Sequence, residues 1–211
     1  MPKTEIYSLN DFKTATETAA NALLNGKIAA FPTETVYGLG ARISDENAVL
    51  KVYKAKGRVP EKPLSILISS VDDMEKIAAE IPETARILAE KFWPGPLTII
   101  LKKKAEISNK ITAGKETVGL RVPAHPAALE IVRLSGPLAC PSANLSGSRE
   151  PKSTADVLAD LDGKIDILID GGDTLIQKPS TIIDLTVQPP KILREGGLDI
   201  SEIKEWIGET E

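Results

Sequence analysis

The chain has 211 residues, of which 26 are basic, 30 acidic and 42% hydrophobic, for a formal net charge of −4. These values suit a globular chain of one or two domains with a buried core. A single cysteine, Cys140, allows no internal disulfide, and a single histidine, His125, excludes structural zinc and leaves triad hydrolysis resting on one residue. No apolar run approaches the roughly 18 residues of a membrane span, and residues 1–12 lack the pattern of a secretory signal. A cytoplasmic protein is expected. The mild acidity argues against nonspecific coating of DNA, although a local basic cleft is compatible with it.

In chain order, Phe12, Ala15, Ala19, Ala20, Leu23 and Leu24 predict an amphipathic helix over 11–24, capped by Asn10 and stopped by Gly26. A short apolar strand over 27–31 ends at Pro32, and Ala48, Val49, Val52 and Tyr53 repeat the helical spacing after Ser44 and Asp45. Strands are predicted at 64–68 (LSILI) and 97–101 (LTIIL), with helices over 71–80 and 83–92 between them and Trp93-Pro94-Gly95-Pro96 as a breaker. Beyond these come a strand at 118–122, a helix at 127–134, a short buried strand at 138–140 and a helix at 155–161. Strands at 165–169, 181–185 and 191–193 follow, then a short helix at 201–207. The alternation predicts an α/β sheet covered by helices, with the late strands adding antiparallel pairs. With no linker, repeat or low-complexity tract, residues 1–211 read as one domain.

Three polar pairs share one spacing: Thr33 and Thr35, Lys56 and Arg58, Ser142 and Asn144. Residues two apart in extended chain face the same side, so each pair can present two side chains to one ligand in the crevice past a strand. Gly57 ends the preceding helix and frees Lys56 and Arg58 from helical geometry. The alternatives are a solvated basic helix end for Lys56 and Arg58, and ordinary turn chemistry for Ser142 and Asn144. No G-x-x-x-x-G-K-[ST] occurs, and Gly38-Leu39-Gly40 lacks the third glycine of a dinucleotide fingerprint.

Six ordered segments carry a resemblance: FPTETVYGL (31–39), KGR (56–58) with Pro63-Leu64, WPGPLT (93–98), VGLRVP (118–123), PSANLSG (141–147) and PSTIIDL (179–185). Together they resemble the YrdC-like family of threonylcarbamoyl-AMP synthases, from about residue 10 to Gly196. The resemblance implies a YrdC-like twisted mixed sheet flanked by helices, with a basic ligand cleft, in a single-domain form lacking the extra C-terminal domain of longer members.

It also implies a nucleotidyltransferase that joins L-threonine, bicarbonate or carbon dioxide, and ATP into L-threonylcarbamoyl-AMP and pyrophosphate. A separate transferase complex then moves the threonylcarbamoyl group to position 37 of tRNAs that read codons starting with A. On this resemblance Lys56 and Arg58 are catalytic and sit at the triphosphate. Lys62, Thr117, Ser142, Asn144 and Arg194 join them at ATP, and Thr35, Arg121, the Cys140 backbone and Ser180 hold threonine. Magnesium accompanies ATP, with no metal ligand identified among the side chains. A carbamate must meet an α-phosphate, so two anions are brought together and cations between them are required.

Three departures stand out. Leu67 replaces a histidine that some members place near threonine, Val59 precedes Pro60 where proline often follows the arginine directly, and Cys140 occupies a position where alanine is common. A competing expectation is a double-stranded RNA or tRNA-binding module, which needs the basic residues but not the threonine contacts. A carbamoyl-transfer accessory domain is a third, disfavoured by the lack of the segments that accompany such domains.

Overall fold

In the computed structural model, which describes residues 3–59 and 61–208, the strands are β1 (Glu5–Ser8), β2 (Ala29–Phe31), β3 (Gly38–Arg42), β4 (Ile66–Leu67), β5 (Leu97–Lys102), β6 (Thr117–Arg121), β7 (Leu138–Ala139), β8 (Ile167–Asp170), β9 (Thr181–Asp184) and β10 (Lys191–Arg194). They form one sheet in the order β1-β8-β2-β3-β7-β4-β6-β5-β9-β10. β8 runs parallel to β1 and β2, β4 to β6, and β5 to β9, while the remaining neighbours are antiparallel. The mixed sheet expected from the sequence is therefore present. Pro60 and the terminal residues 1–2 and 209–211 lie outside the described residues.

The helices are α1 (Phe12–Leu24), α2 (Glu46–Lys56), α3 (Met74–Ile77), α4 (Glu83–Phe92), α5 (Asn109–Thr112), α6 (Pro126–Ser135), α7 (Thr154–Leu161) and α8 (Ile200–Ile207). The cap of α1 is Asp11, whose carboxylate accepts the Thr14 N–H at 3.1 Å, and not Asn10, which lies in a preceding 3-10 turn. Gly57 closes α2 at φ 56°, a left-handed position that glycine takes without a Cβ penalty. The helix predicted over 71–80 shrinks to a 3-10 turn and α3, because Ala78 turns extended and bridges to Lys103. His125 caps α6 through Nδ1, which accepts the Ala127 N–H at 3.2 Å. Burial lowers its pKa, which favours the neutral ring that this acceptor role requires. Among the described residues no helix is long and apolar enough to cross a membrane.

Both faces of the sheet carry a core, and strand periodicity sorts the residues between them. Ala29, Phe31, Leu67, Leu138, Cys140, Ile167 and Ile169 pack on one face with Ala15, Ala19 and Leu23 of α1 and Ala128, Ile131 and Val132 of α6. Their chain neighbours Ala30, Ile66, Ile68, Ala139 and Leu168 point the other way, into a larger cluster with α2, α4 and α7. Each fully buried leucine or isoleucine contributes roughly 1.5–3 kcal/mol, so the alternation holds the buried inner strands in register.

Two strands escaped the sequence reading. β1 is polar and lies at the sheet edge, and β3 contains Gly38 and Gly40. Those glycines permit close approach: a Cβ on Gly38 would lie 2.6 Å from Cys140 Sγ. Gly38→Ala is thus expected to destabilise the protein by about 1–3 kcal/mol through overpacking. Denaturant unfolding should show most of that loss recovered in Gly38→Ala/Cys140→Ala; no recovery would mean the thiol does not fill this space.

Candidate active site

α1 and α6 cover one face of the sheet from its β1 end as far as Leu67 of β4. From Leu67 onward the same face bears a lateral row of residues that faces a cavity. Leu67 pairs with Arg121, Thr98 with Ile182, and Ile182 with Arg194, while the Ile99–Leu120 pairing sets Thr98 beside Arg121. All five line a cavity of about 180 Å³, together with Thr35, Arg58, Ser65, Cys140, Ser142, Glu150 and Ser180 among others. That volume is below the roughly 300 Å³ at which whole-ligand sites begin, so the enclosed part takes only a portion of a nucleotide-sized ligand. The sequence reading placed the site just past the strands. Loop residues there, Thr35 and Ser142 among them, do form its walls, and strand residues form its floor.

A β-bulge between Ile192 and Arg194 sets the last member of the row. Unbroken pairing from Ile192–Ile183 would oppose Leu193 to Ile182; the extra residue brings Arg194 there instead. Arg194 then clamps Ser180, donating from Nε to the carbonyl at 2.9 Å and from Nη2 to Oγ at 3.2 Å.

Arg121 is buried and its donors can be counted. Nε donates to Gly95 O at 3.1 Å, and Nη2 donates to Glu34 Oε1 at 2.8 Å and to Thr35 Oγ1 at 2.9 Å. Among the described residues Nη1 has no partner, so two N–H groups remain for a ligand. Glu34 Oε2 accepts the Ala124 N–H at 3.1 Å, which ties the β2–β3 loop to the chain after β6. The Thr33 hydroxyl donates to Val36 O at 2.6 Å, so at the 2.8 Å contact between the two threonines Thr35 must be the donor. Thr35 has then spent its proton and offers a ligand only an acceptor.

Lys56 is 2% exposed, and its ammonium donates to Ser142 O at 2.5 Å, Asn144 O at 2.6 Å and Asn144 Oδ1 at 3.1 Å. Ser142 Oγ also donates to Asn144 Oδ1, at 2.7 Å, and Asn144 Nδ2 donates to Ser148 O and Arg149 O, both at 3.0 Å. Lys56 and Asn144 are therefore committed to the loop that follows β7 and do not line the cavity. Burial, followed by repulsion from Arg58, pushes the Lys56 pKa down to about 8.

Arg58 does line the cavity, held by Nε to Lys62 O at 3.2 Å and Nη2 to Pro63 O at 2.9 Å. The exposed Lys62 contributes that carbonyl rather than its ammonium. Thr117 opens β6, roughly 13 Å of strand from Arg121, and does not line the cavity. Cys140 is among the lining residues, and burial pushes its thiol up to about 12, outside the range of a nucleophile.

Glu34, Thr98 and Glu150 were missed. Glu34 had a signal, an acid inside the apolar FPTETVYGL run, whereas Thr98 and Glu150 reach the site only through sheet register and loop path. Buried Oε2 of Glu150 has no hydrogen-bond partner.

Two stability outcomes follow. Glu34→Ala should cost about 3–5 kcal/mol by stranding Arg121, against about 1 kcal/mol or less for Glu130→Ala in the more exposed Arg133 pair; equal losses in urea unfolding would refute a buried pair. Lys56 has a lowered folded pKa, so its charging penalty is full below about 8 and is relieved as pH rises toward its ordinary 10.5. The stability difference between wild type and Lys56→Met should accordingly widen in favour of wild type across that window, and a constant difference would contradict it.

Known proteins share this architecture. The Sua5/YciO/YrdC family model, described as "Telomere recombination", matches residues 21–196. A threonylcarbamoyl-AMP synthase of Pyrococcus abyssi is 52% identical over 192 residues, 90% of this chain and 56% of that protein. Its Bacillus subtilis counterpart is 44% identical over 97% of this chain and 59% of its own length. The crystal structure of P. abyssi Sua5 complexed with L-threonine superposes with a TM-score of 0.94 at 47% identity, covering 99% of this chain and 62% of that one. The chain thus spans between half and two thirds of these relatives. On the matched span, the shared fold and this level of identity, the chain belongs to the Sua5/YciO/YrdC family.

Proposed function

We propose that the chain condenses L-threonine, bicarbonate or carbon dioxide, and ATP into L-threonylcarbamoyl-AMP and pyrophosphate. The observation that carries this reading is that one cavity brings Arg121 and Thr35 together with Arg58 and Arg194. It is supported by relatives named for this synthase and by a neighbour that holds L-threonine.

In this reading the two free Nη1 N–H groups of Arg121 take the threonine carboxylate, a charge-assisted contact. The acceptor of Thr35 meets a donor of the amino acid, and Ser180 with the Cys140 backbone closes the pocket. Leu67 supplies an apolar wall beside Arg121. The free amine of threonine adds through nitrogen to carbon dioxide, its N–H proton passing to water, and an oxygen of the resulting carbamate forms a bond to the α-phosphorus while the bond from that phosphorus to the bridging oxygen breaks and pyrophosphate leaves. Arg58 and Arg194 offset the clash of the two anions. Lys56, behind the wall, adds a fixed positive field and holds Ser142 in place. Ser142 meets the nucleotide as an acceptor unless its proton leaves Asn144. Lys62 and Thr117 serve the nucleotide from outside the enclosed cavity. Magnesium arrives with ATP, held mostly by phosphates and water, and neutralises leaving-group charge.

The product passes to a threonylcarbamoyl transferase complex for tRNA modification, in the cytoplasm. Direct binding of double-stranded RNA or tRNA is a poorer fit, because the cleft arginines are held on main-chain carbonyls in a recess rather than spread over a surface. Incubation with ATP, magnesium, threonine and labelled bicarbonate should yield threonine-dependent threonylcarbamoyl-AMP and pyrophosphate by mass spectrometry. Arg121→Ala should raise the threonine requirement about 10–100-fold, the loss of one charge-assisted contact. Product formation independent of threonine, or none at all, would overturn the assignment.

A further inference from the structure

Among the described residues Glu150 is the one carboxylate lining the cavity. Its loop is pinned on both sides: Asn144 Nδ2 donates to Arg149 O at 3.0 Å, and the Tyr37 N–H donates to Pro151 O at 2.9 Å. The side chain is thereby delivered from a fixed backbone. Its Oε2 is buried and has no hydrogen-bond partner, although the carboxylate acts electrostatically on both Lys56 and Arg194. A lone acceptor of this kind calls for a cation or a donor from the ligand.

The other charged groups around the cavity are arginines, whose natural ligand is a phosphate or carboxylate. An anion bound by Arg58 and Arg194 would share the cavity with Glu150, which also acts on Arg194, and be repelled by it unless a cation lay between them. Magnesium suits that place, since it is commonly held by one or two carboxylates together with substrate phosphates and waters. No group of three or more His, Cys, Asp or Glu side chains exists among the described residues to form a cage, so the site would be complete only with the polyphosphate bound.

We propose that Glu150 is the protein's ligand, direct or through one water, for the divalent cation that enters with the nucleotide. The inference rests on the nucleotide-binding reading above. It makes the carboxylate selective as well: metal-bound polyphosphate is admitted and metal-free polyphosphate is repelled.

The test measures ATP affinity by calorimetry with Mg²⁺ and with EDTA, in wild type, Glu150→Gln and Glu150→Asp, and follows Mn²⁺ in the ATP complex by electron paramagnetic resonance. Wild type should bind ATP about 10-fold or more tightly with metal than without it, a margin that should fall to about 3-fold or less in Glu150→Gln. Metal-free ATP should bind Glu150→Gln at least as well as wild type, because repulsion is gone. The Mn²⁺ signal of the ternary complex should change in Glu150→Gln, while Glu150→Asp, which keeps the charge, should retain part of the metal dependence. An identical margin in wild type and Glu150→Gln would overturn the proposal. So would weaker metal-free binding in Glu150→Gln, which would make Glu150 an acceptor for a nucleotide hydroxyl. If wild type bound no ATP under either condition, the nucleotide reading itself would fall; metal-independent ATP binding by wild type would remove the Glu150 inference alone.

Discussion

The cavity row from Leu67 to Arg194 exists because five neighbouring strands hold one register, and that register is enforced from the opposite face. Ile66, Ile99, Leu120 and Ile183 are buried there, each alternating in sequence with a member of the row. A slip by one residue would drive Arg121 and Thr98 into hydrocarbon and push leucine and isoleucine toward the cavity. The arrangement of polar groups on one face is thus secured by apolar burial on the other, and the site needs no separate scaffold.

The cations of the site are held in two different ways. Arg121 is matched by a carboxylate, Glu34, whereas Lys56, Arg58 and Arg194 are held by carbonyl and hydroxyl oxygens. Neutral acceptors fix geometry without cancelling charge, so among these three cations it is Glu150, acting on Lys56 and Arg194, rather than their hydrogen-bond partners, that offsets the positive field. Since the donors are already oriented, little reorganisation is left for the moment of reaction.

Much of this was legible in the sequence. Helical spacing located α1, α2, α4, α6 and α7, and the polar pairs drew attention to loops that do meet at the cavity or brace it. The pairing rule itself was only half informative. Thr33 and Thr35 do come together, as do Ser142 and Asn144, but each pair is joined by an internal hydrogen bond. Gly57 sends Lys56 and Arg58 to different carbonyls. What a single sequence could not show is lateral register: nothing local says that Thr98 lies beside Arg121, or that Ile182 lies between Thr98 and Arg194. Glu150 was hidden for the same reason, because its placement depends on backbone bonds to residues far away in the chain.

The bulge in β10 turns residue count into chemistry. Leu193 and Arg194 are consecutive, and the single extra residue decides which of them shares the cavity face with Ile182. Removing one residue between Ile192 and Arg194 would straighten the strand. Adding one there would shift the parity again. Deletion of Leu193 keeps a guanidinium opposite Ile182 without a bulge, whereas an insertion with the bulge retained moves it one place on, opposite Thr181 and toward the core face. β10 should therefore tolerate substitution or shortening at Leu193 better than lengthening, which makes it a place where lengths of otherwise similar chains can be compared as a functional character.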